Sequence, residues 1–217
     1  MFLSGDILLQ RGAELVDPFD PEGVDGAAYT LRLGGEAYVS PDGPKVRRSR
    51  VVPLKREQEL KIPAGQFAFL LTRETIRVPY NVLAFINMKN GLKSMGLINV
   101  SGFHVDPGYD GKLVFAVFNA GPKTVSIRQN DEAFLIWFAE LKDATRAHAR
   151  SKPGYTKIES DLIARIPDES ASLNSLSGRI ERLERKLSWR RGALIYLAGI
   201  VSAAAAAVIG GWALELF

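Results

Sequence analysis

The stretch GFHVDPGYDG, residues 102–111, gathers the residue types that can do chemistry. A short apolar run, Phe103-His104-Val105, ends in Asp106. A Pro-Gly turn follows, then Tyr109 and a second turn glycine. A carboxylate at the end of a strand can orient and deprotonate a water molecule. The same aspartate can equally just begin the turn, where Asp is favoured. His104 alternates with Phe103 and Val105 and is expected on the opposite face from them; no catalytic role follows from that. With His148 it makes two histidines, too few for a His-rich metal centre, and the chain has no cysteine. A disulfide framework and a thiolate metal site are therefore excluded. So is zinc-dependent nucleobase deamination, which needs a cage of one His and two Cys or of three Cys. No residue is assigned as a metal ligand.

Residues 1–142 must supply the frame that positions this stretch. Short runs rich in Val, Ile, Phe and Leu recur there, as in AGQFAFLLTRETIRVP, NVLAFINMKNG, GKLVFAVFN and EAFLIWFAEL, and Gly, Pro, Asn or Asp punctuates them. The pattern predicts a mainly β domain, an antiparallel sandwich or barrel. The one helical signal is a short turn near Ser4–Leu8. No signal peptide is read at the N-terminus. The net charge of +4 is concentrated in residues 45–56 and 179–191. Neither cluster is interleaved with aromatics, so no nucleic-acid partner is expected.

Beyond this domain the composition changes twice. Residues 143–169 are polar and read as a tail or linker. In residues 170–189, Leu173, Leu176, Ile180, Leu183 and Leu187 recur at alternating steps of three and four, the seam of a short coiled-coil stalk. Residues 190–217 read as a membrane anchor. No charge falls between Gly192 and Leu214, a length of roughly 34 Å as a helix against a hydrocarbon core of about 30 Å. Arg190-Arg191 precede it and Trp212 sits near its far end. The basic flank predicts a single-pass transmembrane α-helix at the C-terminus with the N-terminal domain cytoplasmic.

The quoted stretch does not stand alone. GFHVDPGYDGKLVFAVFN resembles the third motif of the trimeric dUTPase and dCTP deaminase superfamily; GAAYTLRLGG, INMKNGLKSMGLI and VSIRQNDEAFLIWF resemble the first, second and fourth, in the same order and spacing. The resemblance covers residues 3–142 and implies a dUTPase-like distorted β-barrel or jelly-roll that forms a homotrimer with sites shared between subunits. It implies that Asp106 holds the attacking water, that Tyr109 stacks on the deoxyribose, and that Lys89, Asn90 and Gly91 meet phosphate, with Gly108 permitting the turn. A magnesium ion would accompany a bound nucleoside triphosphate.

Departures from the pattern are specific. Lys89-Asn90-Gly91 stands where the family carries Arg-Ser-Ser or Arg-Ser-Gly, so a point charge replaces a bidentate fork. The deaminase general base, a glutamate ten residues after the aspartate, is replaced by Ala116, which cannot move a proton. The second arginine of motif two is replaced by Ser94, and the first-motif acid by Thr30. The tail KPGYTKIESD only faintly resembles that of the deaminases. The expectation is a membrane-tethered trimer that binds a nucleotide, such as a pyrimidine deoxynucleotide, or a related phosphate ligand without standard deaminase chemistry, as sensor, effector or scaffold. The alternatives are an active pyrimidine deoxynucleoside triphosphate hydrolase or deaminase, and a purely structural membrane platform.

Overall fold

The structure, a computed structural model, describes residues 1–41, 51–149, 153–165, 180–189, 196–197, 199 and 202. It divides into two compact units, Met1–Ser172 and Leu173–Phe217. The first opens with helix α1, Gly5–Leu15, longer than the single turn expected. Ser4 caps it by accepting a hydrogen bond from the Ile7 amide. Leu8, Gly12 and Leu15 form its buried face. That 3.6-residue spacing is interrupted in sequence by Asp6, Gln10 and Arg11, which hides it among the β signals.

Twelve strands follow: β1 (Val16–Asp17), β2 (Val24–Asp25), β3 (Ala28–Val39), β4 (Val52–Pro53), β5 (Glu59–Ile62), β6 (Phe67–Arg77), β7 (Val82–Met88), β8 (Leu97–Asn99), β9 (His104–Val105), β10 (Asp110–Asn119), β11 (Val125–Arg128) and β12 (Glu132–Glu140). Among the described residues, ten of these strands form one antiparallel sheet whose main path runs β8-β10-β6-β3-β12-β7-β9. The short β11 and β5 pair separately. The central strand β3 belongs to both halves of the sheet, pairing β6 on one side and β12 on the other. Register shifts in both pairings let it curl around the core.

Alternation along β10 shows how the pattern works. Leu113, Phe115 and Val117 point into the main core, while Lys112, Val114 and Ala116 lie on the other face. Phe115 stacks on Phe134 of β12 with ring centroids 3.7 Å apart, joining the two halves of the sheet. Asn119 ends β10 as the sequence suggests. It is fully buried, its Nδ2 donating to the Ile62 and Lys123 carbonyls at 2.8 and 2.9 Å while its Oδ1 accepts from the Gly121 amide.

The segment read as a polar tail is docked between residues 153 and 165. Ile158 is buried with Tyr38, Phe69 and Leu71 on the outer face of the sheet, and Leu162 and Ile163 of the short helix α2 (Ser160–Ala164) pack against the same cluster. Three apolar side chains at 158, 162 and 163 have helical spacing too brief to stand out in a polar context. In the second unit, residues 180–189 are helical, and Ile180, Leu183 and Leu187 are exposed in the single chain. Leu173 and Leu176 lie outside the described residues. So does most of 192–214, of which only Tyr196, Leu197, Gly199 and Ser202 are described. Among the described residues no helix is long and apolar enough to cross a membrane.

Candidate functional site

Asp106 and Tyr109 are held by one tight turn. Pro107 has the fixed φ suited to the second position of a turn, and Gly108 at φ 82° supplies the positive φ that a type II turn needs at its third. The Tyr109 amide closes the turn on the Asp106 carbonyl at 3.2 Å. The Gly108 amide donates to the Val78 carbonyl and the Val78 amide to the Tyr109 carbonyl, each at 2.8 Å, so the turn is stitched to the end of β6.

A cavity of about 230 Å³ lies beside this turn. Asp106, Tyr109, His104 and Ser101 contribute its polar groups, with Tyr155 of the docked tail completing the wall. His104 Nε2 stands 3.3 Å from Asp106 Oδ1, and both side chains are about half exposed. Phe103 is also exposed and packs edge-on against His104, so the expected strict alternation fails at Phe103, which precedes β9. Tyr109 is 4% exposed. Its hydroxyl donates to the Lys112 carbonyl and accepts from the Tyr155 amide at 3.4 Å.

Tyr155, like Ser101, is a cavity residue that sequence reasoning missed. Its backbone bridges Lys112 of β10, and the Gly154 amide donates to the Asp110 carbonyl at 2.8 Å. Gly111 and Gly154 make that approach feasible. A Cβ on Gly111 would stand 2.5 Å from Gly154 Cα, and Gly111 itself has φ 155°. The Glu36 carboxylate accepts the Ile158 amide at 2.9 Å and fixes the next stretch of tail. The signal in sequence was Pro153-Gly154 before an aromatic residue.

Ala116 stands half-buried on the outer face of β10, packed against the apolar cluster that contains Ile158.

Lys89, Asn90 and Gly91 are not part of this cavity. Lys89 caps a one-turn helix, Asn90–Ser94, and its Nζ lies 2.7 Å from Glu132 Oε2. Glu132 is held below the ordinary carboxylate range, first by that hydrogen bond. Arg32 reaches Glu132 at 3.7 Å and Asp20 at 3.2 Å, so the acids and bases alternate along the cluster. Thr30 is buried on β3, and the Ser94 hydroxyl donates to the Asn90 carbonyl. Among the described residues no group of three acidic or histidine side chains could hold a metal ion. Asp106 is the one carboxylate lining the cavity among the described residues, so these residues form no cage of protein ligands for magnesium there.

A family model described as dCTP deaminase-like matches residues 3–141. The chain belongs to the dCTP deaminase-like family. A dCTP deaminase of Thermococcus kodakarensis is 34% identical over 128 residues, covering 59% of this chain and 77% of the relative. One of Pyrococcus horikoshii is 30% identical over 132 residues, covering 61% and 79%. The crystal structure of the 2'-deoxycytidine 5'-triphosphate deaminase from Agrobacterium tumefaciens matches with a TM-score of 0.51 at 19% identity, over 63% of this chain and 46% of that one. The last supports the fold. The family match covers the β unit and stops before the docked tail and the second unit.

Proposed function

We propose that this chain is an enzyme of nucleotide metabolism acting on a pyrimidine deoxynucleoside triphosphate. The observation that carries the reading is the cavity beside Asp106, with Tyr109 and Tyr155 in its wall. Membership of the dCTP deaminase-like family supports an enzyme over a catalytically silent binder. In this reading Asp106 orients the attacking water, Tyr109 limits the room around the sugar, and Gly108 keeps the turn that aligns them. Lys89, Asn90 and Gly91 lie outside the cavity, so they would meet the phosphates from a neighbouring copy of the chain. That requirement makes the working form a homo-oligomer, for which a trimer with a stalk at 170–189 and a membrane anchor at 192–214 is the arrangement we favour. The head, residues 1–142, would then face the cytoplasm.

Hydrolysis between the α- and β-phosphates fits these residues better than deamination. It requires water activation by one carboxylate and charge stabilisation at phosphate. Deamination also requires a proton to be carried to the departing amine, and Ala116 carries none. The apolar packing of Ala116 favours a second reading, ligand binding without turnover.

The test is incubation of the purified full chain with dUTP, dCTP, dTTP and UTP and magnesium, following products and thermal stability. Turnover that Asp106→Asn removes while the oligomer persists supports the enzyme. A rise in melting temperature without product supports the binder. Neither would leave the cavity without a nucleotide role.

A further inference from the structure

We propose that His104 is the proton carrier of this cavity, taking up the proton that water loses during hydrolysis. The inference rests on the reading that the cavity turns over a nucleotide. His104 of β9 and Asp106 just beyond its end are both exposed, with the buried Val105 between them in sequence. Nε2 of the imidazole stands 3.3 Å from Oδ1 of the carboxylate, and both residues line the cavity. The ring is steadied rather than free to swing: Phe103 packs edge-on against it at 4.9 Å, and Phe103 in turn stacks on Phe85 of β7, the register partner of His104. The groups that face it are Asp106 and Tyr109 on the turn after β9, Tyr155 on the tail and Ser101 on the preceding loop; β7 presents Phe85 and Ile86 there, with no charge.

A carboxylate alone is a poor store for a proton near neutral pH, whereas an imidazole exchanges one readily there. A carboxylate beside an imidazole also fixes the orientation of the ring. In the step that follows, a water oriented by Asp106 attacks the α-phosphorus of the deoxynucleoside triphosphate. An oxygen–phosphorus bond forms, and the bond from that phosphorus to the bridging oxygen breaks, its electron pair leaving with diphosphate. The proton lost by water passes through the Asp106 carboxylate to His104 Nε2 and then to solvent. Deoxynucleoside monophosphate and diphosphate are the products, and no oxidant or reductant is needed.

The test compares the full chain with its His104→Gln and His104→Ala variants on dUTP and on dCTP, with magnesium, between pH 5 and pH 9. His104→Gln is expected to lower kcat by about 100- to 10,000-fold, the usual range for a lost general base, with KM and melting temperature little changed. It should also change the shape of the rate profile across that pH range. Free imidazole should restore part of the rate of His104→Ala. An unchanged kcat in His104→Gln, or a change confined to KM, overturns the role of His104 while the enzyme reading stands. No turnover of either nucleotide by the unaltered chain overturns both.

Discussion

Truncating Ile158 should release the tail without unfolding the β domain. Ile158 is 4% exposed, seated among Tyr38, Phe69 and Leu71. Ile158→Ala removes three carbon groups, worth about 0.8 kcal/mol each, or about 2.4 kcal/mol of docking. Because the tail can lift away, no cavity need be left in the core, and the larger losses seen for interior Ile→Ala changes do not apply. At about 1.4 kcal/mol per decade the tail-open population rises about 50-fold. Hydrogen exchange reads this directly. The amides of Gly154 and Ile158, bonded to the Asp110 carbonyl and the Glu36 carboxylate, should lose about that factor in protection. Amides of β10 and β12 should keep theirs, with the melting temperature moving little. A variant in which tail and sheet amides lose protection together would refute local docking and make the tail part of the global folding unit. Unchanged protection at Gly154 and Ile158 would show that Ile158 does not hold the tail.

Three further outcomes follow from buried or crowded groups. Gly154→Ala places a Cβ 2.6 Å from the Asp110 carbonyl oxygen and 2.8 Å from Tyr109 Cζ; a clash of about 1–3 kcal/mol should speed proteolysis at Lys157 by one or two orders of magnitude. Asn119→Ala strands two carbonyls and an amide in the interior and should cost about 2–4 kcal/mol in urea unfolding. Glu74 is buried, and burial raises its carboxyl above the ordinary range, while burial also lowers the nearby Lys112 ammonium, so both favour the neutral form. The folded chain then keeps the Glu74 proton longer than the unfolded one. Its contribution is present below the unfolded value and is lost as pH rises through the raised folded value. Glu74→Gln should flatten that fall and raise the melting temperature at pH 7, its amide oxygen still accepting the Arg32 amide as the carboxylate does at 2.9 Å; a lower melting temperature at pH 7 would mean that ionised Glu74 supports the fold.

The strands were legible because alternation on a half-covered sheet writes a period of two into the sequence, as Leu113, Phe115 and Val117 do. Asp106, Pro107 and Gly108 were legible as a turn because each has a local reason to be there. Helix α1 was harder to see, since three buried positions, Leu8, Gly12 and Leu15, include a glycine that carries no hydrophobic signal. The long-range contacts of the site were not legible. Tyr155 reaches Tyr109 across 46 residues, and nothing local encodes that contact. The ion pair of Lys89 with Glu132, supplied by a strand 43 residues later, likewise has no local signal.

The same long-range pairings set a timetable for synthesis. Strand β3 ends at Val39 but takes its second neighbour from β12, and the Leu3 amide closes on the Phe138 carbonyl at 2.8 Å. A ribosome adding roughly 5–20 residues per second leaves β3 half-paired for on the order of 5–20 s after it emerges. Throughout that interval its backbone offers an open, apolar strand to any neighbouring nascent chain. Productive assembly of this sheet thus depends on late closure by its final strand, and conditions that slow translation between Val39 and Glu140 should lower its soluble yield.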